Sequence, residues 1–299
     1  MKNGSGSRIL LLPLLLATFF WALGHPLGRI ILQTVHPFQL STMTLTVGFL
    51  SLFAYLVAAR KLPLLRRMSG RDIAGSLALG VLGFGAYQIL TFSALARIPA
   101  SMNAVLVSSN VVLIAILSSL FLKERIGWAR AAGILTAFAG VVLVTFNRGF
   151  TLSAGIDLLG CAFSLLAALT FSLYTVMGKR LVGRNDPLIV TSLALFAGAV
   201  LRACVTAGFV GFSSMATAGF QAWWLMILLG VSMIGFAYPA WFETLKRLPA
   251  SRASVFVYLT PVFAVILSFL ILGERFSVVF YIGGALVLGG VALSSVSSR

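Results

Sequence analysis

Two uncharged polar residues interrupt long apolar stretches of this chain at equivalent positions, Asn110 and Thr260, which lie 150 residues apart. A carboxamide and a hydroxyl form strong hydrogen bonds, and among apolar neighbours they are costly unless they face a cavity or a partner helix. Asn103 precedes Asn110 by two helical turns and therefore shares its helical face. All three are candidates for binding a polar solute. A hydrogen bond between helices is the alternative for Asn110.

A second polar stripe consists of Thr18, Trp21 and His25, whose spacing places them on one face of a helix. An indole and an imidazole can contact a solute, and an imidazole can also exchange a proton near neutral pH. Pro26 follows directly and can bend the helix. Trp21 and His25 are therefore candidate binding residues and Pro26 is a candidate hinge. A structural or solvated His25 is the alternative.

Two further stretches carry matched stripes at the same separation: Gly85, Gln88 and Phe92 against Gly235, Tyr238 and Phe242. The candidate binding residues from these stretches and from aromatic positions at intermediate depth are Tyr87, Gln88, Tyr174, Tyr238, Trp241 and Tyr258. Aromatic belts at membrane interfaces are the alternative for each aromatic residue. Tyr258 and Thr260 point to different helical faces, so at most one of them is needed to line a cavity.

Candidate hinges accompany these residues. Gly85 and Gly235 can permit bending, and close helix packing is their alternative. Pro261 frees the carbonyl four residues before it, so we expect a kink beside Thr260. Its counterpart is Val111, which cannot have this effect, so the two halves are not expected to be functionally identical.

Charged residues are rare in the apolar stretches. Arg202 is the one clear exception, and we expect its guanidinium to extend towards the interface rather than to bind a carboxylate. Glu243 precedes Lys246 and Arg247 at helical spacing, which predicts an ordinary ion pair. No carboxylate falls in the middle of an apolar stretch, so carboxylate-based proton exchange is not indicated. His25 is the alternative titratable group.

Enzyme chemistry has little support in this sequence. Neither HExxH nor GxSxG occurs, and His25 and His36 are far from any run of carboxylates. Cys161 and Cys204 lie within apolar stretches without metal-ligand spacing, so we expect small buried hydrophobic side chains. No catalytic residue, metal or cofactor is predicted, and an intramembrane enzyme is the remote alternative.

The composition predicts an all-α polytopic membrane protein. Apolar residues make up 60% of the chain and charged residues 9%, whereas about a quarter of a soluble domain is charged. The net charge of +16 comes from short breaks between apolar runs, which indicates anchoring in a lipid bilayer and not nucleic-acid binding. The first apolar run is long and lacks a cleavage site, so we expect a membrane helix and not a signal peptide.

Apolar runs of roughly 20 residues, the length that crosses a bilayer, recur along the whole chain. Helix starts are indicated by Ser69 with Asp72, by Asp186, and by Pro37, Pro99 and Pro249. Ten transmembrane helices are predicted, at residues 9–33, 37–59, 72–95, 99–122, 127–146, 156–180, 187–211, 220–245, 249–272 and 277–296.

The chain is an internal duplication. Residues 95–143 and 245–293 share 19 identities in 49 positions without a gap. The predicted units are residues 1–148 and 149–299, with five helices each. An odd number of helices per unit makes the second unit enter the membrane from the opposite side, so the units form inverted repeats.

The distribution of basic residues tests this inversion. With both termini in the cytoplasm, 17 basic residues face inward and four face outward, as the positive-inside rule requires. The outer residues are Arg29, Arg97, Arg148 and Arg275. The inner residues are Lys2, Arg8, Arg60, Lys61, Arg66, Arg67, Arg71, Lys123, Arg125, Arg130, Lys179, Arg180, Arg184, Lys246, Arg247, Arg252 and Arg299.

Inverted repeats are typical of secondary transporters, in which two related halves exchange inward-open and outward-open states around a midplane site. Transport of a small molecule by alternating access is therefore the leading hypothesis. Small residues in the last helix of each unit, such as Gly140 and Gly290, indicate packing or dimer surfaces, so the chain is predicted to be a monomer or a homodimer.

The repeated ending of each unit resembles the EamA branch of the drug/metabolite transporter superfamily. It comprises a proline-started helix, the turns LKER (122–125) and LGER (272–275), and a glycine-rich last helix. The resemblance implies a bacterial inner-membrane exporter of metabolites, with amino acids, including aromatic ones, as the leading substrates. Nucleotide sugars, sugar phosphates and drugs are the alternatives within the superfamily.

Overall fold

A computed structural model describes residues 4–145, 157–273 and 278–296, with side chains described from residue 12 onward except at 101, 105, 141, 144, 145, 214, 280 and 294–296. Within these ranges all regular structure is helical. The predicted unit boundary at residues 148 and 149 lies outside them, as do Lys2, Arg148, Arg299 and the second half of the LGER turn with Arg275, and the side chain of Arg8 is likewise not described.

Helices account for both copies of the duplicated unit. The first copy contains α1 (Gly4–Ile31), α2 (Pro37–Ala58), α3 (Gly70–Arg97), α4 (Ala100–Val107), α5 (Asn110–Leu122) and α6 (Trp128–Thr145). The second contains α7 (Leu158–Val182), α8 (Pro187–Phe209), α9 (Ser213–Ala216), α10 (Phe220–Leu229), α11 (Ala237–Arg247), α12 (Ala250–Ala253), α13 (Leu259–Leu272) and α14 (Val278–Val296). Two 3-10 turns, Leu62–Arg67 and Ser254–Tyr258, and one π-helical turn, Gly230–Phe236, complete the described helical structure.

Seven helical segments in the described part of the chain are long and apolar enough to cross a membrane. Asn110–Leu122 and Tyr281–Leu293 are shorter apolar helices. A multi-pass helical membrane protein is thus confirmed, while the number of ten crossings stays a prediction. The seven segments are Leu12–Ile31, Pro37–Ala58, Gly70–Arg97, Leu158–Val182, Pro187–Phe209, Phe220–Arg247 and Ala250–Leu272.

The separation of 150 residues persists in the structure. Pro37 and Pro187 each begin a helix, and so do Trp128 and Val278. At the end of α5, Lys123 adopts a left-handed φ of 56°, and at the end of α13 its counterpart Gly273 adopts 66°. The two copies therefore share caps as well as helix boundaries.

Three predicted helix starts have side-chain caps. Ser69 Oγ accepts a hydrogen bond from Asp72 N at 3.1 Å, and Asp186 Oδ1 accepts one from Leu188 N at 2.9 Å. His36 Nδ1 accepts one from Phe38 N at 3.3 Å. These caps satisfy amides that a helix leaves unpaired in its first turn.

Helices α1 and α7 run in opposite directions. Arg29, in the last turn of α1, donates to Leu95 O at 2.6 Å and to Ile98 O at 3.2 Å, at the end of α3. Asp157, which caps the start of α7, forms an ion pair of 3.0 Å with Arg97 at this same end. Corresponding helices of the two copies are thus antiparallel, as inverted repeats require.

The counterpart of Arg29 forms the counterpart contacts. Lys179 in α7 donates to Leu245 O and, at 2.6 Å, to Leu248 O, which end α11. Each copy therefore uses a cation of its first helix to satisfy carbonyls at a helix C-terminus, where positive charge is stabilising. The duplication is preserved in individual hydrogen bonds.

Asp157 is held in its ionised form. The pKa of its carboxyl lies below the usual range because Gly160 N–H and the Arg97 side chain both donate hydrogen bonds to it. The same carboxylate caps α7 and joins the helix to α3, so it fixes one end of the bundle.

Most basic residues of the described structure gather at one end of the bundle. This end, called the basic end below, carries residues 60–71, 123–130, 179–184 and 246–252. Contacts join its parts: Gly75 near the start of α3 faces Leu181, and Lys246 donates to Asn185 O at 3.4 Å. Arg29 and Arg97 lie at the opposite end.

Glycines allow two equivalent close helix crossings. A Cβ on Gly80 of α3 would come within 2.0 Å of Ala194 O in α8, and one on the counterpart Gly230 within 3.1 Å of Thr44 O in α2. Gly85 and Gly235 follow in the same two interfaces. The glycines predicted as hinges are therefore close-packing positions in this conformation.

The fourth and ninth predicted helices are both interrupted, and a kink was expected in the ninth from Pro261. Ser108 and Ser109 separate α4 from α5, and a 3-10 turn precedes α13 and Pro261. No proline is needed in the first copy because Ser108 Oγ donates to Ala104 O and Ser109 Oγ to Leu106 O, at 2.7 and 2.8 Å, in competition with the helical backbone.

Candidate functional site

A narrow cavity lies where α1, α3, α4, α5 and α7 meet the π-helical turn, α11 and α13. Its volume is about 40 Å³, which is room for a few water molecules. An amino acid or larger solute therefore needs the walls to separate. The lining residues are Trp21, Gly24, His25, Tyr87, Gln88, Thr91, Phe92, Ala104, Val107, Ser108, Asn110, Phe171, Met233, Tyr238, Val257 and Thr260.

The structure brings seven of the predicted binding residues to this cavity: Trp21, His25, Tyr87, Gln88, Asn110, Tyr238 and Thr260. Asn110 begins α5 and Thr260 is the second residue of α13, so both stand beside a helix interruption. Two interrupted helices thus approach the cavity from the two copies of the unit. This arrangement is typical of binding sites in transporters with inverted repeats.

Five of these side chains have buried polar atoms without a hydrogen-bond partner in the protein. They are Trp21 Nε1, His25 Nδ1, Gln88 Nε2, Asn110 Oδ1 and Thr260 Oγ1. Buried polar atoms normally have a partner, because an unmade hydrogen bond is costly. Two certain donors, the indole and the carboxamide NH2, and one certain acceptor, the Asn110 oxygen, are therefore available to a polar solute.

Asn103 has a different environment from Asn110. Its Nδ2 donates to Thr91 O at 3.3 Å, and its Oδ1 accepts from Ser164 Oγ at 2.9 Å. It joins α4 to α3 and α7 and does not line the cavity. Tyr258 likewise points away, and its hydroxyl donates to Ile134 O at 3.4 Å.

Tyr174 and Trp241 belong to a group of aromatic side chains packed against the cavity, called the aromatic cluster below. Trp21 lies edge-on to Tyr238 and Trp241, with ring centroids 5.3 and 5.7 Å apart, a favoured geometry. Tyr174 and Trp241 lie one turn beyond the lining residues Phe171 and Tyr238, in the direction of the basic end, so these two rings lie between the cavity and the basic end. The aromatic cluster comprises Trp21, Phe84, Phe171, Tyr174, Tyr238, Trp241 and Phe242.

The four predicted hinge residues have different surroundings. Pro26 is buried inside α1 next to His25, and Pro261 lies in the first turn of α13. Gly235 is part of the π-helical turn, whereas its counterpart Gly85 is in regular α3. Irregular backbone at one glycine and not at the other makes the two halves different beside the cavity.

Sequence reasoning missed several lining residues. Phe171 is the counterpart of Trp21 at the separation of 150 residues, and their rings meet at 5.7 Å, so the duplication could have identified it. Thr91 follows Gln88 by three residues and shares its face. Ser108 and Met233 gave no comparable signal.

Charge is absent from the cavity lining in the described structure. Arg202 lies elsewhere, with its guanidinium 4.4 Å from the centre of the Phe38 ring and Nε and Nη2 unpaired. Its side chain is 4% exposed and packs on Phe38 in the first turn of α2, at the end of the bundle opposite the basic end, so the extension towards the interface stays a prediction. Cys204 is exposed and not buried as expected, because its face of α8 points outward. Glu243 pairs with Arg247 as predicted.

The LKER turn has a role that the sequence did not reveal. Glu124 accepts hydrogen bonds from Ala250 N at 2.8 Å, Ser251 N at 3.0 Å and Ser251 Oγ at 2.7 Å. A carboxylate at a helix N-terminus is stabilising. Glu124 therefore ties the end of α5 to the start of α12, across the two copies and at the basic end.

Duplicated antiparallel helices around a neutral polar cavity define a membrane transport protein. The chain belongs to the EamA-like transporter family, whose profile matches residues 8–146 and again 158–296. This family is a branch of the drug/metabolite transporter superfamily, as the sequence resemblance indicated.

Similar proteins support this assignment over nearly the whole chain. A "probable terminal-alkyne amino-acid exporter" of Streptantibioticus cattleyicolor is 30% identical, over 94% of this chain and 91% of its own. An "uncharacterized transporter" of Archaeoglobus fulgidus is 26% identical over 93% and 95%. A solved crystal structure with 25% identity covers 98% of both chains with a TM-score of 0.78.

Proposed function

We propose that this protein exports small zwitterionic metabolites, chiefly amino acids including aromatic ones, by alternating access around the cavity. The observation that carries the proposal is the set of unpaired polar atoms between the two copies. Asn110 Oδ1 accepts a hydrogen bond from the ammonium of the substrate, while Trp21 Nε1 and Gln88 Nε2 donate to its carboxylate. The aromatic cluster provides an apolar wall for the side chain.

A neutral site suits an exporter that must release its substrate. Hydrogen bonds from uncharged groups replace only part of the hydration of a zwitterion, so binding is weak. The alternative substrates, nucleotide sugars and sugar phosphates, carry phosphate and call for cationic side chains. The cavity lining of the described structure contains none, which favours amino acids.

The proposed topology has ten transmembrane helices, both termini in the cytoplasm and a location in the bacterial inner membrane. In this orientation the basic end is cytoplasmic, and the aromatic cluster closes the cavity on that side. Export then requires the cluster to separate for loading. The chain works as a monomer or as a homodimer.

Counterflow in proteoliposomes tests the proposal. Liposomes loaded with phenylalanine, leucine, a sugar phosphate or a nucleotide sugar are assayed for uptake of the labelled compound, with and without a pH gradient. Uptake of an amino acid is expected. Uptake of the phosphorylated compounds alone would contradict the amino-acid assignment, and a response to the pH gradient that His25→Gln abolishes would identify the coupling residue.

Variants connect this activity to the cavity. Asn110→Leu and Trp21→Ala are each expected to lower the flux about tenfold, because a hydrogen bond to a charged group contributes about 1.5–3 kcal/mol. Gln221→Leu, at an exposed position at the start of α10, is the control and should transport normally. Normal flux in both cavity variants would remove the cavity as the binding site.

A further inference from the structure

A groove distinct from the cavity opens on the side of the bundle, between α2, the first turn of α8, the π-helical turn and α11. Its volume is about 570 Å³. Leu52, Tyr55, Val231 and Phe236 form much of its wall, and the last three are 40–54% exposed. An apolar groove on the outer face of membrane helices is open to lipid acyl chains. The groove extends along α2 and α11, so it suits an extended acyl chain and not a compact polar solute.

Basic residues surround one end of the groove. Lys61 lines it directly, and Arg60 and the 3-10 turn Leu62–Arg67, which carries two more arginines, adjoin it. Glu243 also lines the groove, but its Oε1 accepts hydrogen bonds from Arg247 at 2.9 and 2.5 Å, so its charge is compensated. The net charge at this end of the groove is therefore positive.

The equivalent interface, in which α8 replaces α2 and α3 replaces the π-helical turn and α11, carries larger side chains. Ser51 and Ala240 line the groove, whereas their counterparts at the separation of 150 residues are Leu201 and Leu90. Leu201 and Leu90 are larger side chains than Ser51 and Ala240, so they leave less room in the equivalent interface between α3 and α8. The counterpart of the basic segment, residues 210–221, contains no Lys or Arg.

We propose that this groove binds an anionic phospholipid, with an acyl chain along α2 and the π-helical turn and the phosphate at Lys61. The apolar wall fits the chain, and the uncompensated cations favour a headgroup with net negative charge over a zwitterionic one. The site exists on one side of the molecule because the other copy lacks both the space and the charge.

The position of the groove connects the lipid to transport. The π-helical turn Gly230–Phe236 supplies Val231, Gly235 and Phe236 to the groove and Met233 to the cavity. A lipid held against this turn therefore contacts the element that forms one wall of the cavity. The lipid favours one conformation of the turn if it binds the two states of the transporter with different affinity.

Lipid retention tests the proposal independently of any substrate. The full-length protein is purified in micelles with equal amounts of phosphatidylglycerol and phosphatidylcholine of the same acyl chains, and retained lipids are counted by native mass spectrometry. Phosphatidylglycerol should be retained preferentially. Lys61→Gln should lower this retention about fivefold, since one basic residue near an anionic headgroup contributes about 1 kcal/mol. Ala240→Leu, which introduces the residue of the other copy, should lower it at least as much.

Matched controls separate the groove from general effects. Arg125→Gln removes an exposed charge of the basic end that does not line the groove, and Ala54→Leu adds the same volume on an exposed face of α2 outside the groove. Both should retain phosphatidylglycerol as the wild type does, and thermal unfolding verifies that all variants fold. Equal retention of the two lipids, equal losses in the controls, or full retention in Ala240→Leu would overturn the proposal.

Discussion

Asn103 and Asn110 are two buried amides of one helical face that differ in how their polar atoms are paired. Asn103 has a donor and an acceptor from neighbouring helices, whereas Asn110 Oδ1 has no partner in the protein. A fully bonded amide stabilises the bundle and is not free to bind a solute. An unpaired amide oxygen costs stability and is available for binding. The contrast separates a structural role from a binding role.

This difference predicts opposite effects of substitution. Asn103→Ala should destabilise the protein by about 1–3 kcal/mol, because the hydrogen bonds to Ser164 Oγ and Thr91 O that join α4 to α7 and α3 are lost, while the KM of the folded fraction stays unchanged. Asn110→Leu should leave stability nearly unchanged and lower the flux. Thermal unfolding in detergent, combined with counterflow normalised to folded protein, measures both quantities. A raised KM in Asn103→Ala with normal stability would contradict the structural role.

Spacing alone could place both amides on one face but could not tell which of them a neighbouring helix would satisfy. The partner of Asn103 is Ser164, which is 61 residues away, and no local pattern connects them. The prediction that Asn110 and Thr260 form a binding site had better support, because the duplication pairs them at the same depth in the membrane. A repeat in the sequence therefore carries three-dimensional information that helical periodicity does not.

At the scale of the elements, two helices are interrupted beside the cavity. The interruptions occupy equivalent positions in the two copies but have different chemical causes. Pro261 accompanies the change of helix geometry before α13, and two serines accompany the break between α4 and α5. Proline is a recognisable signal, whereas serines within an apolar run usually continue a helix in a membrane. Sequence reasoning therefore found one interruption and missed the other.

The cap that joins α5 to α12 leads to a prediction about helix docking. Glu124→Ala removes three hydrogen bonds at the start of α12 and should lower stability by about 1–2 kcal/mol. Glu243→Ala is the matched control, since its exposed ion pair with Arg247 contributes less than about 0.5 kcal/mol. Chemical denaturation in mixed micelles measures both variants. Equal losses of stability would show that the cap contributes no more than a surface ion pair.

At the scale of the whole molecule, the cavity lies where equivalent residues of the two copies meet. Asn110 with Thr260 and Gln88 with Tyr238 are counterparts, and all four line the cavity. The pseudo-two-fold relation thus passes through the candidate site, which is where two exchanging halves must act together. Departures from the relation are equally informative: His25 faces the cavity, while its counterpart Thr175 is a buried hydroxyl outside the lining.

The inversion itself predicts which surfaces are reached from each side of the membrane. Gly70 begins α3 and its counterpart Phe220 begins α10; both are exposed, and a Cβ at Gly70 meets no atom within 4 Å. In a background with Cys161→Ser and Cys204→Ser, Phe220→Cys should react with a membrane-impermeant thiol reagent in intact cells. Gly70→Cys should react only after the cells are opened, because the proposed topology places the basic segment beside it in the cytoplasm. The control is labelling of both variants in detergent, which shows that each thiol is reactive. Labelling of both positions from the same side would contradict the inverted arrangement, and labelling of Gly70→Cys alone in intact cells would reverse the orientation while preserving the inversion.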